Sequence, residues 1–122
     1  MEQYAPRLIY IAGKISGLPE EEYQTHFMAA QNLLAQIYPE STIYNPAASL
    51  SELSKKMDYD TLMQVCLQIV DLADTFAFLP DFKDSLGAMV ELDYALKHGK
   101  RILELQTQPK SYRVEERTWQ RR

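Results

Sequence analysis

Two short stretches hold the side chains best able to do chemistry together. One is Gly13-Lys14-Ile15-Ser16-Gly17-Leu18-Pro19; the other is Ser85-Leu86-Gly87-Ala88-Met89-Val90-Glu91. Free backbone amides at a helix start attract an anion, and a lysine ammonium with serine hydroxyls would complete a phosphate cradle. Lys14, Ser16 and Ser85 are candidates for that work. Glu91 follows Ser85 by six positions and offers a carboxylate. In a helix, Gly87 and Ala88 fall one turn before it on the same face, leaving open space in front of the carboxylate. Plainer readings compete: Ser85 only as a helix cap, Lys14 as a solvated charge, Glu91 as a surface glutamate paired with Lys97 or Arg101.

The elements that must position these groups follow from hydrophobic patterning. Residues 8–12, Leu8-Ile9-Tyr10-Ile11-Ala12, are apolar throughout, as in a strand buried on both faces. Pro19 and three glutamates predict a helix start, and Tyr23, Phe27, Ala30, Leu34 and Ile37 recur as one apolar stripe. Thr42-Ile43-Tyr44 reads as a second strand stopped by Asn45-Pro46, and residues 47–56 as loop or a loose helical turn. A second helix is expected over 58–72 with Leu62, Val65, Ile69 and Leu72 inward, then a strand over 75–79. A third helix over 85–98 is capped by Asp84 or Ser85 and stopped by Gly99, and residues 101–105 form a fourth strand.

Strands alternating with helices predict an α/β fold, a flavodoxin-like or Rossmann-like three-layer sandwich. Right-handed crossovers favour a parallel sheet of order 2-1-3-4. The topological switch then lies between strands one and three, where residues 13–18 meet residues 80–85, and ligands bind at such points.

A chain of 122 residues, 46% hydrophobic and 25% charged, suits one globular domain. Residues 1–105 are expected to form it, with 106–122 as a tail. The net charge of −4 argues against a nucleic-acid partner. Cys66 stands alone, which excludes an intrachain disulfide and a thiolate metal cluster and suits a reducing cytoplasm. The first residues lack a signal-peptide pattern, and the apolar runs are too short to cross a bilayer. A cytoplasmic protein needing no metal or other cofactor is expected.

The strand and loop from Ile9 to Pro19, the run Tyr44-Asn45-Pro46-Ala47, and Ser85 to Glu91 with Asp93-Tyr94-Ala95 and Gly99-Lys100 resemble the DUF4406 group. That group is similar to nucleoside 2-deoxyribosyltransferases and related nucleotide N-hydrolases. The resemblance implies that Glu91 attacks the anomeric carbon of a deoxyribosyl group and that Tyr10 lies beside it. It implies that Ser85 contacts a 5′-phosphate; the reading of the two loops themselves places Gly13, Lys14, Ser16 and Gly87 around the substrate. Double displacement through a glycosyl-enzyme would follow, as in retaining glycosidases.

Two positions depart from the pattern. Cys66 stands where the relatives carry an aspartate that positions or protonates the leaving base. Lys14 replaces a small hydroxyl residue, and Ser16 an arginine. A nucleotide N-glycosidase or deoxyribosyltransferase is therefore set against a non-catalytic nucleotide-binding module of the same fold. Phospho-acceptor receiver domains share the sheet order, but Ala12-Gly13 lacks their acidic residues. A flavoprotein has only the fold in its favour.

The tail mixes Lys110, Arg113, Arg117, Arg121 and Arg122 with Tyr112, Val114 and Trp119. A nucleic-acid arm, a frayed end and a segment docking on a neighbouring subunit are open readings. The resemblance favours the last, since the related enzymes are homo-oligomers whose sites borrow carboxy-terminal residues.

Overall fold

In the computed structural model, which describes residues 5–53, 55–108 and 111–117, the opening apolar run is β1 (Leu8–Ala12). It is covered on both sides: Ile9 and Ile11 enter one core cluster, Tyr10 and Ala12 the other. α1 (Glu20–Ile37) starts after Pro19 with its glutamates in the first turn, where the helix dipole favours negative charge. Phe27, Ala30 and Leu34 are its buried stripe. Ile37, expected on that stripe, is 46% exposed. The helix ends there, and Tyr38 packs against the core in its place.

β2 (Thr42–Tyr44) leads into α2 (Pro46–Leu53), a regular helix where loop or a loose helical turn was expected over 47–56. Asn45 starts that helix by accepting the Ala48 N–H at 3.2 Å, and its amide donates to Gln31 Oε1 at 3.0 Å. Asn45-Pro46 is thus an N-cap followed by a proline suited to the first helical position, more than a strand stop.

α3 (Tyr59–Leu72) is capped by Asp58, whose carboxylate accepts the Thr61 N–H at 2.7 Å. Leu72, expected inward, is 70% exposed, while Val70 and Ala73 are buried and Val65 and Ile69 half-buried. The inward row is Cys66, Ile69, Val70 and Ala73, a helical spacing shifted so that Cys66 turns toward the sheet. The side chain of Leu62 lies outside the described residues.

β3 (Thr75–Phe78) is wholly buried. A short 3-10 turn (Phe82–Asp84) follows, then α4 (Leu86–Lys97), with Gly99 at φ +65° beyond it. β4 (Arg101–Gln108) runs past the expected end at 105 and pairs with β5 (Ser111–Arg117).

The sheet order is β2-β1-β3-β4-β5. The β1–β2, β1–β3 and β3–β4 pairs are parallel, and β4–β5 is antiparallel. The expected four-stranded parallel sheet of order 2-1-3-4 is therefore corrected to a mixed sheet of five. Residues 106–108 and 111–117, expected as tail, are strand. Tyr112 and Val114 pack against the α1-side core, which gives this edge a buried face. Arg101–Glu116 at 2.7 Å fastens the strands on that same face, and Arg117–Glu104 at 3.3 Å on the other. Lys110, Trp119, Arg121 and Arg122 lie outside the described residues. α1 and α2 cover one face of the sheet, α3 and α4 the other. Among the described residues no helix is long and apolar enough to cross a membrane.

Adjacent β1 and β3 bring the loop after Ala12 against the loop after Phe78. A Cβ built on Gly13 would meet Leu79 Cδ1 at 2.4 Å and Leu79 Cβ at 2.9 Å. The second contact is to the root of a buried side chain, so a rotamer change cannot relieve it. Gly13→Ala is expected to lower the unfolding free energy by about 1–3 kcal/mol, the scale of core overpacking. Urea denaturation checks this; an unchanged midpoint would mean the two loops part without cost.

Candidate functional site

At the C-terminal ends of β1 and β3 a cavity of about 740 Å³ opens between the loop after β1, α3 and α4. Ser85 sits at its α4 end. The Ser85 Oγ accepts the Ala88 N–H at 3.1 Å, so the cap is real. Its hydroxyl hydrogen remains free to donate into the cavity it lines. The Ser85 carbonyl takes the Met89 N–H, which leaves the amides of Leu86 and Gly87 as the helix-start donors nearest the opening. Across from them, Gly13, Lys14 and Ser16 line the same cavity. A side chain at Gly87 would meet only Ser85 Oγ, at 3.9 Å, so the space expected there is present.

About 9 Å of helix rise carries α4 from Ser85 to Glu91. Lys97 pairs instead with Asp93 at 2.9 Å and Arg101 with Glu116, which corrects the reading of Glu91 as their surface partner. Glu91 turns into the cavity, with its carboxyl beside the Tyr10 phenol. Burial pushes its carboxyl up to about 7, with the Tyr10 phenol acting the other way. Tyr10 is fixed by ring stacking on Tyr44 at 5.7 Å and by Phe76 at 5.3 Å. Burial first, then the charge of Glu91, holds its phenol far above the ordinary value, so it stays a proton-bearing donor.

Cys66 faces this pair from α3. Its thiol is pushed up by burial and then by the charge of Glu91. The arrangement is a shielded carboxylate with a phenol donor, a thiol opposite, and a cationic, amide-rich end one helix segment away. It suits attack by a carboxylate on an electrophilic carbon whose substituent is anchored as an anion. No group of three or more His, Cys, Asp or Glu among the described residues is placed to hold a metal.

The model of DUF4406, described as a domain of unknown function, matches residues 7–104. The chain belongs to the DUF4406 family. No curated protein matches it. The family match runs from β1 into the first half of β4, with Tyr10, Cys66, Ser85 and Glu91 inside it, and stops before β5.

This DUF4406 chain adds groups that sequence reasoning did not place. Asp84 is a second carboxylate lining the cavity, beside Ser85 and away from Glu91. Tyr94 lines it one turn beyond Glu91 and donates to Asp71 Oδ1 at 2.7 Å, tying α4 to α3. Helical spacing from Glu91 was the available signal for Tyr94; Asp84 had none beyond adjacency to Ser85. Leu67, Leu86 and Val90 form an exposed apolar part of the lining. A second hollow, of about 400 Å³, is an open groove along α1 lined by Pro19, Glu21, Glu22, Thr25 and His26. It contains none of the groups described above.

Proposed function

We propose that the cavity cleaves the N-glycosidic bond of a nucleoside monophosphate, with Glu91 as nucleophile, in the manner of the nucleoside 2-deoxyribosyltransferase-like enzymes. The observation that carries this is the shielded Glu91 carboxylate, beside the Tyr10 phenol in one cavity with Ser85 and Lys14. The ionised carboxylate attacks the anomeric carbon as the carbon–nitrogen bond breaks. The base departs with the bonding pair and takes up a proton from solvent water, since the Cys66 thiol opposite is poorly tuned to give one. The resulting glycosyl ester is opened by water, which returns the carboxylate and releases the sugar phosphate, or by a second base, which completes a transfer. The Tyr10 phenol, a proton-bearing donor beside the carboxylate, orients the attacking oxygen.

A second reading, nucleotide binding without turnover, has one observation in its favour. The carboxylate that accompanies Glu91 in the cavity is Asp84, at the Ser85 end, and the position facing Glu91 is a thiol. Incubation with a panel of nucleotides, with released base measured, separates the two readings. Release above the buffer blank supports the enzyme; its absence with every nucleotide favours binding alone.

The phosphate cradle has its own expected outcome. A nucleoside monophosphate should raise the melting temperature more than its nucleoside, because Lys14, the Ser85 hydroxyl and the α4 amides meet only the phosphate. At a ligand concentration about a hundredfold above Kd, linkage contributes roughly 2.7 kcal/mol of stability. Equal thermal shifts for both ligands remove phosphate recognition from the proposal.

A further inference from the structure

Lys14 stays at the anion end of the cavity only while the loop after β1 remains against the loop after β3. The register of β1 with β3 ends at Ala12 and Phe78, and the Leu79 N–H then donates to the Ala12 carbonyl at 2.8 Å. One side chain continues the connection beyond the sheet: Asp81 Oδ1 accepts the backbone N–H of Lys14 at 3.2 Å. Asp81 is half-buried and outside the cavity lining. Behind it stands Tyr112 of β5, whose phenol is raised by burial and then by the Asp81 charge. Past Lys14 the loop is held by Ile15, which packs against the α1-side core, and by a turn in which the Leu18 N–H donates to the Ile15 carbonyl at 3.2 Å; neither contact touches the Lys14 peptide itself. Gly17 in that turn, at φ +86°, has no neighbour near its missing Cβ.

We propose that Asp81 is a positioning residue that sets the preference of the site for phosphorylated over unphosphorylated nucleosides, by holding the Lys14 peptide so that its ammonium stays at the phosphate end. This rests on the nucleotide reading above. The carboxylate acts through its acceptor oxygen. Its negative charge, close to the phosphate end, works against the anion, so an amide should serve as well or better. Asparagine and alanine therefore separate the roles: the first keeps the acceptor and drops the charge, the second drops both.

The test is titration calorimetry of the full chain with 2′-deoxyadenosine and with its 5′-monophosphate, for wild type, Asp81→Ala and Asp81→Asn. Alanine is expected to weaken the monophosphate by roughly fivefold or more, the worth of one hydrogen bond, and to move the nucleoside by less than about twofold. Asparagine should bind the monophosphate at least as well as wild type. Should the alanine variant not fold, Asp81→Val, which also lacks an acceptor, takes its place. Equal weakening of both ligands, or asparagine as weak as alanine, overturns positioning by the acceptor oxygen. If wild type binds neither ligand, the nucleotide reading falls and this proposal with it. If wild type binds both and alanine leaves their ratio unchanged, this proposal alone falls.

Discussion

Glutamine in place of Glu91 is expected to remove base release, by a factor on the order of 10⁴ or more, the scale of deleting a nucleophile. Nucleotide affinity should stay nearly intact, because the amide matches the carboxyl in size and can still accept from Tyr10. The pH profile of wild type gives a second readout. With the Glu91 carboxyl pushed up to about 7 by burial, kcat/KM should rise with pH about a midpoint near 7 and then level off. Stability should move the opposite way. Between the ordinary glutamate value of 4.5 and about 7 the folded state keeps a proton that the unfolded state has lost. Wild type therefore loses stability as pH rises through that window, and the loss is complete above it. Glu91→Gln has no such proton, so its melting temperature should exceed that of wild type at pH 8, with the gap closing by pH 4. Each 1 kcal/mol of difference amounts to roughly 4 °C in a domain of this size. A pH-independent gap would show that Glu91 is not shielded as described.

The second large effect concerns Cys66. Cys66→Asp is expected to raise the rate of base release about a hundredfold or more, the usual gain from a placed proton donor. A thiol, ordinarily near pKa 8.5 and here pushed higher by burial and by Glu91, is poorly tuned to donate to a leaving base at neutral pH. A carboxyl at this place would feel the same Glu91 charge, which favours its protonated, donating form. The half-buried position lets an aspartate reach the cavity, and a melting curve must first show that the variant folds. If wild type releases no base and the folded Cys66→Asp variant releases none, turnover through Glu91 is excluded. The cavity is then a binding site alone.

How much of this was legible depends on where the information sits along the chain. The central strands and their crevice could be read because β1 and β3 are short unbroken apolar runs, each ending at Gly or Pro, and such runs have one home in a parallel sheet. Ser85 and Glu91 could be brought together because one helix carries both. Tyr10 and Cys66 came only through family resemblance: Tyr10 lies in an apolar run that hides its hydroxyl among core residues, and Cys66 sits on a helix whose inward row was misplaced. That misplacement has a physical cause, since Leu72 fits the periodicity but falls where α3 turns away into β3. α2 was read as no more than a loop or loose turn because Asn45-Pro46 signals both a strand end and a helix start. β5 was missed because only Tyr112 and Val114 alternate against its charges. The tie from Asp81 to Lys14 spans 67 positions, and no local pattern announces it.

The close approach of Gly13 to Leu79 bears on how related chains should be sorted. Any Cβ at position 13 strikes Leu79 whether the cavity is filled or empty, so glycine there records backbone packing and carries no information about turnover. The same holds for Asn45, whose side chain is spent on starting α2. Both will mark every chain that folds this way, active or not. The pair at 66 and 91 is different, because neither side chain is required by the packing of the backbone around it. Carboxylates at both places, a thiol with a carboxylate, or neither would divide lineages by chemistry, while the glycine and asparagine group them by architecture alone.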